Sequence, residues 1–130
     1  MTAQEQLTRL YEEWRCLSEG EAESIRAEAW PRLAGIQDHK ADLQRQIIAA
    51  SEPFETELAC AQSAGRAVEN PFRLIVQELI LLEIRNAEIL AEKRHAAERE
   101  RAELDRSSQN LRLVQRSYGR PLDSAWQSYS

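Results

Sequence analysis

The stretch at residues 70–119, NPFRLIVQELILLEIRNAEILAEKRHAAERERAELDRSSQNLRLVQRSYG, decides the fold. Asn70 suits a helix cap, Pro71 the first helical turn, and Gly119 the position just past a helix end. Between positions 72 and 118 there is no glycine or proline. The pattern predicts one helix over 71–118, roughly 70 Å long at 1.5 Å per residue. In a chain of 130 residues no compact globule can wrap such a rod. It needs a partner of similar length.

The N-terminal third supplies one. Leu7, Leu10, Trp14, Leu17, Ala22, Ile25, Ala29, Leu33, Ile36, Leu43 and Ile47 step by three and four, with Lys40 in the one missing place. This is a helical stripe, predicting a helix over about 3–49. Pro31 lacks an amide hydrogen and clashes with the preceding turn, so a kink, or a break into two coaxial helices, is expected there. Ser51-Glu52-Pro53 reads as a fresh start for a short helix over 53–64, followed by a turn at 65–70.

The long helix changes along its length. Over 72–90 apolar residues cover most of the circumference, whereas 93–106 is rich in Glu, Arg and Ala, with the seam resuming at Leu111, Val114 and Tyr118. Folded back on itself, residue i faces roughly 121 − i in an antiparallel pair. Ile47 then meets Phe72 and Ile75, Ile36 meets Ile84, Leu17 meets Leu104, Leu10 meets Leu111, and Trp14 faces Ser107 and Ser108. Glu19, Glu21, Glu23 and Glu28 would border Lys93, Arg94, Arg99 and Arg101. The fold class is therefore all-α: a long, coiled-coil-like antiparallel helical hairpin over 1–119, a short third helix at its closed end, and a tail over 120–130.

Charged residues make up 30% of the chain and aromatics 6%, a balance that belongs to long amphipathic helices. A net charge of -5 argues against nucleic acid and against an anionic membrane surface. The uncharged apolar run at 79–82 is too short to span a bilayer. Gln4, Glu5 and Arg9 interrupt any secretory signal at the start, so a cytoplasmic location is expected. Cys16 and Cys60 form no motif and read as free thiols. His39 and His95 lack partners at zinc spacing, and the Glu-rich 19–28 stretch lacks the Asp/Asn alternation of a calcium loop. No phosphate loop or nucleophile motif is present. Neither an enzyme nor a cofactor or metal is expected.

What remains is amphipathic surface. Tyr11, Trp14, Leu111, Val114, Tyr118 and Trp126 are the expected partner-binding residues, a groove for another protein's helix at the open end. Leu74, Ile80 and Leu81 are the apolar excess of the 74–82 face and would mediate a homodimer unless the 53–64 helix covers them. A structural coiled-coil protein acting through that face is the alternative reading.

Two segments resemble the FlgN-type flagellar export chaperones. One is Leu17-Ser18-Glu19-Gly20-Glu21 through Ile25, Trp30 and Leu33 to Lys40, Leu43 and Ile47. The other is the run at 79–90, LILLEIRNAEIL with its Asn86, followed by a long polar helix and Tyr118-Gly119. The likeness covers roughly residues 7–119, with one Asn at 86 where the family often has a pair, and Arg120-Pro121 in place of a glycine-containing tail. It implies a cytoplasmic chaperone that binds the C-terminal helices of hook-filament junction proteins and delivers them to the export gate. Tyr118 matches the family's Tyr-Gly, placing client and gate contacts in the C-terminal region.

Overall fold

The computed structural model describes residues 2–118. Three helices account for nearly all of them: α1 (Ala3–Arg26), α2 (Trp30–Ser63) and α3 (Arg73–Ser117). The chain divides into two units, Met1–Ala91 and Glu92–Ser130. Within the first, α1 and α2 form an antiparallel hairpin and α3 supplies a third helix, so the fold is all-helical and hairpin-based as expected.

The arms of that hairpin are not the ones expected. The chain reverses at residues 27–29, where the amide of Glu28 donates to Ile25 O at 3.1 Å and that of Ala29 to Ser24 O at 2.9 Å. This is the bonding of a helix end closed by a left-handed residue. The left-handed residue is Glu28, at φ 56. Pro31 then falls in the first turn of α2, where its missing amide hydrogen has no intrahelical partner to lose. Neither a kink nor two coaxial helices results.

Downstream, no separate helix begins at Ser51. Pro53 lies inside α2, which continues to Ser63. The Ser51 hydroxyl donates to Ile47 O at 2.7 Å rather than capping a new start. Gly65, at φ 81, closes α2 with the same pair of bonds seen at Glu28: Gly65 N to Gln62 O and Arg66 N to Ala61 O. Asn70 Oδ1 accepts from Phe72 N at 2.9 Å, turning the chain into α3. Gly119, expected to terminate α3, lies outside the described residues, as do the tail over 120–130 and Trp126.

Cross-helix pairs fix the directions. Glu13 meets His39 at 3.1 Å and Glu23 meets Arg32 at 3.7 Å, so α1 and α2 run antiparallel. Arg15 meets Glu78 at 2.7 Å, and Ser18 donates to Glu83 at 3.0 Å, so α3 runs parallel to α1 and antiparallel to α2. The expected pairing survives where α2 faces α3. Ile47 and Ile75 both pack on the cluster that contains Phe72, and Lys40 pairs with Glu83. It fails for α1, which the reversal carries back beside α2. Leu10 is buried with Leu7 and Leu43, whereas Leu104 and Leu111 are exposed.

The core is the seam of this bundle. Leu7, Leu10, Leu43, Ala50, Phe54 and Phe72 form its main cluster, with Phe54 and Phe72 edge-on at 5.1 Å. Phe72, just before α3, and Leu79 and Asn86 within it are buried at seven-residue spacing, the period of a helix showing one narrow face to its neighbours. In the second unit, no described residue is buried.

Candidate functional site

Midway along the bundle the seam becomes polar. Lys40, only 5% exposed, sends its ammonium to Glu21 Oε1 at 3.3 Å and to Glu83 Oε1. Asn86 donates to Glu21 Oε1 at 3.0 Å and to the Ser18 carbonyl at 2.9 Å, and the Ser18 hydroxyl donates to Glu83. The Lys40 ammonium also lies 4.6 Å from the centroid of the Trp14 ring, within cation–π range. Each helix contributes: Ser18 and Glu21 from α1, Lys40 from α2, Glu83 and Asn86 from α3. Burying a charge costs several kcal/mol unless it is paired and hydrogen-bonded, and here all three charged groups are. The layer ties the three helices to one register.

Beside it opens a groove of about 420 Å³, lined by Tyr11 and Trp14 of α1, Gln44 and Ile47 of α2, and Val76, Leu79, Ile80 and Glu83 of α3. Tyr11 stacks against Phe72 at 5.2 Å. Burial pushes its hydroxyl pKa above the ordinary 10.0, a hydrogen bond with Ser51 pulls it down, and the charge of Glu55 pushes it up.

The residues expected to form one partner-binding surface fall in both units. Tyr11 and Trp14 are half-buried in the first, as walls of the groove. Leu111, Val114 and Tyr118 belong to the second and are exposed. Trp14 faces Lys40 rather than Ser107 and Ser108. Glu21 and Glu23 pair with Lys40 and Arg32 rather than with the basic stretch at 93–101. Leu74 (77%), Ile80 (53%) and Leu81 (65%) all remain exposed, because α2 covers Phe72 and not this outer face. Leu113 is an exposed apolar residue that the seam argument passed over.

The polar layer was missed by sequence reasoning, although it left a trace. Lys40 stood in the one missing step of an otherwise apolar stripe, and Asn86 stood among leucines and isoleucines. Among the described residues there is no group of three or more His, Cys, Asp or Glu placed to hold a metal ion, and no helix long and apolar enough to cross a membrane. Cys16 and Cys60 are free and exposed.

Fold and site together define an all-helical protein with a polar-locked three-helix unit and exposed apolar helical surface. No protein-family model matches the chain, and neither does any curated protein or solved structure.

Proposed function

We propose that the chain is a non-enzymatic, helix-binding protein: a cytoplasmic export chaperone that shields the amphipathic C-terminal helices of hook-filament junction proteins and hands them to the flagellar export apparatus. The observation that carries the reading is the row Leu104, Leu111, Val114 and Tyr118 in the second unit. These residues are spaced by seven, three and four, and are between 48% and 71% exposed. A helix bearing exposed apolar anchors on one side, uncovered by the other described residues, has the character of a half-built helix–helix interface. The FlgN-type resemblance adds the identity of the client. Ser18, Glu21, Lys40 and Asn86, which belong to the segments bearing that resemblance, meet in one buried layer, a convergence that supports reading the two segments together.

The function asks for no chemistry, only a surface that holds a segment and releases it. A client disordered before capture loses conformational entropy on binding, which keeps affinity moderate and exchange possible. Calorimetric titration with peptides from the C-terminal helices of hook-filament junction proteins tests the proposal. Binding is expected for the full chain, with a loss of at least about tenfold for Tyr118→Ala, as for an exposed aromatic anchor. The melting temperature should not change. Absence of binding by the full chain, or equal affinity for the variant, would remove the basis for it.

A further inference from the structure

The two units carry opposite charge. Met1–Ala91 holds nine Lys and Arg against sixteen Asp and Glu, a formal charge of −7, whereas Glu92–Ser130 holds eight against six, a charge of +2. The contrast is sharpest at the two apolar surfaces. Between positions 106 and 118 there is no acid, and Arg106, Arg112 and Arg116 share the segment with Leu111, Val114 and Tyr118. At the groove, the one charged lining residue is Glu83, whose carboxylate is shared with Lys40, so the acidic character comes from the unit as a whole, Glu55 near Tyr11 included. Ile80 and Ile84, half exposed and one helical turn apart on α3, extend the apolar floor outward.

We infer that the groove of the first unit is occupied by a second copy of this chain, through the basic apolar segment at 106–118 of that copy. The chain itself carries both halves of the match: an open apolar trough in an acidic unit, and a helix segment with apolar anchors and only cationic charges. Each contact joins unlike surfaces, and when both copies reciprocate the contacts close a two-fold dimer. Charges of opposite sign at the contact speed encounter and fix orientation, and salt weakens them. This pairing differs from self-association through the 74–82 face, where like surfaces would meet, and it requires no client.

Sedimentation equilibrium of the full chain at about 50 mM and about 500 mM salt reads the proposal, since screening shortens from roughly 14 to 4 Å across that range. A reversible dimer is expected at low salt, with at least tenfold weaker association at high salt. Ile80→Glu in the groove and Leu111→Glu on the segment should each give a monomer of unchanged helix content, with Ile84→Glu as a second groove variant. An equimolar mixture of Ile80→Glu and Leu111→Glu should recover a heterodimer, because one intact groove then meets one intact segment. Like-on-like pairing cannot produce that recovery. A wild-type chain that stays monomeric at low salt, single variants that still dimerise, or a mixture that remains monomeric would each overturn the inference. Because Leu111, Val114 and Tyr118 also form the proposed client contact, a second copy would compete with the client, so peptide binding is measured separately on Ile80→Glu, whose segment is intact and whose groove is not.

Discussion

Lys40 stands where an apolar residue would continue the α2 seam between Leu33 and Leu43, and its side chain is only 7% exposed. Its ammonium is held by two carboxylates and the face of Trp14, so removing it leaves Glu21 buried without its cation. Lys40→Ala should therefore cost about 3–5 kcal/mol in urea denaturation, the usual cost of breaking a buried pair from one side. Glu83→Gln, at a side chain 40% exposed, should cost far less, because water already shares the solvation of that carboxylate. Equal and small effects for both would mean that the layer does not hold the helices. The sequence exposed Lys40 as an irregularity in a stripe. It could not say that Glu21, nineteen residues away, and Glu83 and Asn86 on a third helix would answer it.

At the scale of elements, the reversal at residues 27–29 is what separates the expected rods from the observed bundle. Helix ends that close through a left-handed residue normally place glycine there, since a side chain at that φ crowds the following carbonyl by about 1–2 kcal/mol. Gly65 meets the rule at the end of α2, and the turn there was legible in the sequence. Glu28 breaks it at the end of α1, and the stripe keeps phase across the break, so the sequence pointed to a kink. Glu28→Gly should relieve that strain and stabilise the protein by about 1 kcal/mol, raising the melting temperature by roughly 4–8 °C for a folded unit of this size. A lower melting temperature would show that Glu28 makes contacts that outweigh its backbone. Pro31 was the available signal, read as a breaker when it was a start. Pro53 shows the converse: it read as a start and sits inside a continuous helix.

For the whole molecule, every buried residue among those described belongs to Met1–Ala91. A chain ended after Ala91 should therefore unfold cooperatively within a few degrees of the full-length protein, by circular dichroism melting, because no core contact is removed. Loss of cooperative folding in that fragment would show that the second unit contributes to the core. The sequence by itself determined that this protein is helical, where most helices end, and which faces are apolar, since 3.6-residue periodicity and cap chemistry are local properties of the chain. Only the tertiary structure decided which helix covers which face. One left-handed residue turned α1 back onto α2, so that Tyr11 and Trp14 became walls of a groove and Leu10, assigned to Leu111 by the pattern, is buried with Leu7 and Leu43 instead. Periodicity records that a face must be covered and carries no information about what covers it. That choice depends on the free energy of the whole packed bundle, in which a small backbone strain at Glu28 is outweighed by a buried seam.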